Sequence, residues 1–143
     1  FETTVYDGQV RTDVWASAVT EMFSNSDDVQ IHGSIAETFD YLTSIKSNVV
    51  CFYHNLKFDG CFWLDFLMNV KRMKPALIDR YSDKDPVEWE KNKFMKNNTF
   101  KCSISSLGQW YTIMFKFKDY IYEFRDSYKL LPFLNCPLPY YLH

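Results

Sequence analysis

Two hydrophobic periodicities collide at Tyr53. Val49-Val50-Cys51-Phe52 is a continuous apolar run with the length of a buried strand, whereas Cys61-Phe62-Trp63-Leu64-Asp65-Phe66-Leu67-Met68 repeats at helical spacing. Between them stands Tyr53-His54-Asn55-Leu56-Lys57-Phe58-Asp59-Gly60, so a strand ends and a helix begins within this short stretch. At such a junction Asn55 and Asp59 leave the end of a sheet together. Asp59 falls near the helix start, where exposed amides favour a carboxylate, and Gly60 lets another backbone or a ligand come close. An amide and a carboxylate flanked by Phe58 and Phe62 suit a site that holds metal and stacks bases. The same residues also read as plain architecture, with Asp59 as a helix cap and the aromatics as core.

The segments on either side supply the sheet. Phe1 to Val5 reads as the end of a strand, Asp7-Gly8 as a turn, and Val10 to Val19 as a second strand antiparallel to the first. Ser24 to Asp28 is a further turn, and Val29 to Gly33 a short third strand on which His32 reads as a surface residue rather than a ligand. Ser34-Ile35-Ala36-Glu37 forms a capping box, after which Ile35, Phe39, Leu42 and Ile45 mark a helix through Lys46. A helix crossing one face of a sheet returns the next strand, Ser47 to Asn55, parallel to the first. The helix begun near Asp59 runs to about Val70. Residues 71–98, polar and interrupted by Pro75 and Pro86, read as an insertion or loop. Thr99 to Ser105, Gln109 to Phe117 and Tyr120 to Arg125 alternate as strands, and Ser127 to Phe133 as a short helical piece stopped by Pro137 and Pro139.

The 143 residues fit one domain, here an α/β domain, and 47% hydrophobic content is enough to build a core. Charge is distributed unevenly. Residues 1–70 carry three Lys or Arg against ten Asp or Glu, whereas 71–101 carry nine against five. Carboxylates therefore gather where a cation would sit, beside a segment able to track phosphates or merely to be solvated. Cys51, Cys61, Cys102 and Cys136 show no metal-binding spacing and read as reduced thiols of a cytoplasmic protein. No apolar run approaches the roughly 18 residues of a membrane span, so no membrane partner is expected.

Tyr53-His54-Asn55-Leu56-Lys57-Phe58-Asp59-Gly60 resembles the second exonuclease motif of protein-primed family B DNA polymerases, the group found in small tailed phages, adenoviruses and linear plasmids. Phe1-Glu2-Thr3-Thr4 resembles the end of the first motif, Asp-x-Glu-Thr. Leu107-Gly108-Gln109-Trp110-Tyr111 and Asp126-Ser127-Tyr128-Lys129-Leu130-Leu131-Pro132-Phe133 resemble later stretches in the same order.

The resemblance implies a ribonuclease-H-like mixed sheet with flanking helices, the fold of DEDD exonucleases, incomplete at its C-terminal end. The first strand and the strand running into Asn55 would then lie side by side, carrying Glu2 towards Asp59. It further implies a 3′–5′ proofreading exonuclease in host cytoplasm, with Glu2 and Asp59 as catalytic metal ligands for Mg²⁺ or Mn²⁺. Two such ions stand roughly 3.5–4 Å apart in enzymes of this chemistry. Thr3, His54, Asn55, Phe58, Phe62, Ser127 and Tyr128 match positions that contact the 3′ end of single-stranded DNA; tyrosine replaces the family's leucine at Tyr128. A priming protein and a polymerase domain in cis are the other implied partners.

Departures limit this reading. The first motif's aspartate would precede Phe1, and no third motif, Tyr-x-x-x-Asp, or polymerase motif is present, so the expected activity of this chain alone is weak or nil. A catalytically incompetent module of the same fold, gripping single-stranded DNA or a priming protein, is the alternative expectation. An unrelated ribonuclease-H-like nuclease acting on RNA is a further one.

Overall fold

A computed structural model describes residues 1–22, 28–76 and 95–129. The expected turn at Ser24 to Asp28, most of the expected insertion or loop around Pro86 and the segment around Pro137 lie wholly or largely outside those residues.

Three antiparallel strands open the chain. β1 (Glu2–Thr3) pairs with β2 (Val14–Thr20), which pairs with β3 (Val29–His32). α1 (Ile35–Ser44) starts at Ser34, whose hydroxyl accepts the Glu37 amide at 3.2 Å. Glu37 reaches back one residue further than in an ordinary capping box, accepting from the Gly33 amide at 2.7 Å. Phe39 and Leu42 are buried, while Ile45, an expected core position, is 45% exposed past the helix end. His32 is half-buried, its ring 5.0 Å from that of Tyr41.

The larger sheet has the order β4-β8-β7-β6-β5. It comprises β4 (Val49–Tyr53), β5 (Lys74–Pro75), β6 (Thr99–Ile104), β7 (Trp110–Phe117) and β8 (Tyr120–Asp126). β7 and β8 form a hairpin whose Lys118-Asp119 turn has φ of 48° and 70°. Positive φ at both central residues matches the right-handed twist of the strands. Asn97 braces the turn, its side chain accepting the Asp119 amide at 2.8 Å.

Two expectations fail here. β4 returns parallel to β8, not to β1, so the first strand and the strand entering Asn55 belong to different sheets. Hairpin pairing places β8 beside β4, a non-local choice that helical and strand periodicity do not encode. Pro75, expected only as an interruption, lies in β5 at the sheet edge, where the missing amide costs no ladder bond.

α2 (Leu56–Asp65) begins three residues before Asp59 and continues into a π-helical turn over Phe66–Val70. The two helices bury Phe39, Leu42, Leu56, Trp63, Phe66 and Leu67 with Ile113, Phe115, Tyr122 and Phe124 from the sheet. Aromatic contact organises this core: the Phe115 and Tyr122 rings stack at 4.8 Å across the hairpin, and Trp63 lies 4.8 Å from Phe124. A cleft of about 1040 Å³ is lined by residues 17–22 of the small sheet and 48–54 around β4, with Tyr41, Leu42, Ile45, Phe1 and Asp59.

Candidate nucleic-acid interface

β4 and β8 are parallel and end level with one another, Tyr53 opposite Asp126. The residues that follow both strands therefore emerge at the same carboxyl edge, the place where open α/β sheets present ligand-binding groups. From β4 come His54 and Asn55; from β8 come Ser127 and Tyr128. His54 and Tyr128 meet edge to face with ring centres 5.6 Å apart. Ser127 Oγ donates to the Tyr53 carbonyl at 3.1 Å, tying the two strand ends together. Ser127 to Lys129 form one 3₁₀ turn.

Asn55 makes the strand-to-helix bend with φ 61° and ψ 64°, a left-handed conformation that asparagine tolerates better than most residues. It occupies the cap position of α2, but its side chain makes no cap hydrogen bond, and the residue is exposed. Asp59 sits one turn further on and is only 6% exposed, so it is not the cap. Its Oδ1 is 2.9 Å from the main-chain nitrogen of Phe1. The Phe1 ring packs against Tyr53 at 6.1 Å and Trp63 at 5.6 Å, which brings the start of β1 to the junction without strand pairing.

Tyr53 supports the junction from beneath, its hydroxyl accepting from Trp63 Nε1 at 2.9 Å. Burial pushes that hydroxyl's pKa well above its ordinary value, Cys51 and Asp59 adding to the rise while the Trp63 hydrogen bond opposes it. Phe58 and Phe62 pack edge to face at 5.5 Å; Phe58 remains 46% exposed, whereas Phe62 is half-buried. Gly60 is required by protein packing. A Cβ there would lie 2.9 Å from both Ile113 Cδ1 and Trp110 Cζ3 of β7.

Thr3 is half-buried on β1 opposite Val14. Glu2 is exposed opposite Ala16, and its side chain makes no hydrogen bond or ion pair among the described residues. Among those residues no three His, Cys, Asp or Glu side chains converge as a metal-binding group. Asp59 buried on α2 and Glu2 exposed on β1 do not by themselves fit a pair of divalent ions. The expected site residues did not include Asp126, buried to 6% exposure, whose Oδ1 accepts the Tyr128 amide at 3.0 Å. Its signal was available: Tyr122, Phe124 and Asp126 share one parity on β8, which places an acid in line with core aromatics.

No family model matches the chain. It is 28% identical over 149 residues to a DNA polymerase of Streptococcus phage Cp-1 and 30% identical over 143 residues to one of Bacillus phage Nf. It is 29% identical over 138 residues to one of Bacillus phage phi29. Each alignment takes in 93% of this chain and 20% of the phage protein, so the chain spans about a fifth of those relatives. A structure of phi29 DNA polymerase complexed with primer-template DNA matches 96% of this chain and 21% of its own, with 25% identity and a TM-score of 0.65.

Proposed function

We propose that this chain, homologous over 93% of its length to DNA polymerases of phi29-type phages, is the part of such an enzyme that grips the 3′ end of single-stranded DNA for proofreading. The observation that carries the reading is the meeting of His54, Asn55, Ser127 and Tyr128 at one sheet edge, beside the exposed ring of Phe58. Phe58 offers a stacking face for a base, and the Asn55 amide is free to bond it or its sugar. The Ser127 hydroxyl proton is committed to Tyr53, so Ser127 accepts from the nucleotide, for instance from a 3′-hydroxyl, rather than donating to a phosphate.

In the parent protein the reading extends to 3′–5′ exonuclease activity on a ribonuclease-H-like fold, serving protein-primed replication beside a polymerase domain and a priming protein. Mg²⁺ or Mn²⁺ would supply the Lewis acid, with Asp59 and Glu2 among its ligands. The described residues alone do not make that ion pair, and no hydrolytic step is derived from them. A longer polypeptide, with an aspartate ahead of Phe1 and a Tyr-x-x-x-Asp segment downstream, is expected to degrade single-stranded DNA only with Mg²⁺, and Asp59→Ala should abolish it. Undiminished digestion by that variant would remove Asp59 from the site.

A second reading is a binding module of the same fold that does not cleave, to which the edge formed by His54, Asn55, Ser127 and Tyr128 is equally suited. Metal-independent, salt-sensitive binding of a fluorescent oligonucleotide, with no cleavage even by the longer polypeptide, would select it.

A further inference from the structure

We infer that Asp126 is a positioning residue for the DNA-gripping turn, an inference that rests on the proposed function and gives a role to a buried acid to which the motif stretch holding it assigned none. Three observations support it. Asp126 is the last residue of β8, paired with Tyr53, the last residue of β4. Its carboxylate faces the helix-covered side with Tyr122 and Phe124 yet is buried to the same degree as Asp59. Its Oδ1 accepts the Tyr128 amide at 3.0 Å, closing the first turn of the 3₁₀ segment on itself.

That bond acts on the two nucleotide-facing side chains through the backbone. A carboxylate holding the amide two residues on fixes the turn as an Asx motif does. The turn aims Ser127 Oγ at the Tyr53 carbonyl and sets the Tyr128 ring against His54. Without the Asp126 acceptor the Tyr128 amide loses its partner, and the pair linking β8 to β4 is free to turn away from Asn55. Asp126 itself need not touch DNA. The Tyr128 amide calls only for an acceptor oxygen at that place, which asparagine also provides.

The test uses the 143-residue chain and a fluorescein-labelled oligothymidylate, read by anisotropy. Asp126→Ala is expected to weaken binding by about tenfold with a Tm near that of the parent, and Asp126→Asn to restore affinity to within about twofold. In a Ser127→Ala, Tyr128→Ala background Asp126→Ala should change affinity little, since the groups through which it acts are gone. A purely structural role would lower affinity equally in both backgrounds and overturn the inference. So would binding by Asp126→Ala equal to the parent, or a tenfold loss in Asp126→Asn. If Asp126→Ala does not fold, the Asn variant and the slowing of Tyr128 amide exchange decide: an unprotected Tyr128 amide in the parent chain sinks the proposal. Absence of any oligonucleotide binding by the parent chain defeats the proposed function itself, and the inference with it.

Discussion

Asn55 carries two demands at once, a left-handed backbone and a free amide at the edge of a sheet. Glycine satisfies the first alone, so Asn55→Gly is expected to preserve Tm while weakening oligonucleotide affinity; equal affinity would show that the bend is all that matters. Phe58 is similarly separable from the core, being 46% exposed. Base stacking on such a ring is worth about 1–3 kcal/mol, so Phe58→Ala should cost about tenfold in affinity with little change in thermal stability. Anisotropy and calorimetry on one sample check both halves of that statement. Cys51 gives the opposite contrast: burial pushes its thiol up to about 12, whereas Cys61 is exposed. Iodoacetamide at neutral pH should alkylate Cys61 and spare Cys51 until the chain unfolds, as peptide mapping would reveal.

At the scale of elements, α2 is pressed so closely on β7 that Gly60 has no room for a side chain. Gly60→Val forces Trp110 and Ile113 aside, and overpacking of this kind costs about 1–3 kcal/mol. A depressed Tm together with weaker DNA binding is expected, because α2 carries Asp59 and Phe58; a Tm unchanged by the variant would mean that β7 yields freely. The existence of α2, the β7–β8 hairpin and the Ser34 cap was legible in local pattern. The pairing of β4 with β8 was not, since identical alternation suits either neighbour and the choice is made by hairpin packing. Asp126 was legible as a buried acid from the parity of β8, but its bond to the Tyr128 amide was not, since that depends on the turn the chain takes after the strand. Asn55, Phe58 and Asp59 were legible because one short motif holds them. Ser127 and Tyr128 reach them only through the fold.

At the scale of the whole molecule, burial makes Cys51 and Tyr53 of β4, Cys102 of β6 and Tyr122 of β8 reluctant to ionise. Cys51 keeps its proton to about pH 12 when folded, against an ordinary 9.0, and the Tyr53 hydroxyl is shifted in the same direction. Below pH 9 both folded and unfolded chains hold the thiol proton and its contribution to stability is complete. As pH rises from there towards 12 the unfolded chain alone releases it, so stability falls. Thermal scans from about pH 8 to about pH 11 should show a declining Tm, and Cys51→Val should make the decline shallower. An identical slope in that variant would place the loss on other groups. β4 has a second property at this scale. Its far flank borders the cleft and, among the described residues, has no strand beside it in the larger sheet, while Val50 and Phe52, which help line that cleft, are 47% and 39% exposed. Such a border is a template for the backbone of any neighbour, including a twin. Purified alone and concentrated, the polypeptide should self-associate, light scattering should climb with concentration, and a lysine in place of Val50 should hold the solution clear.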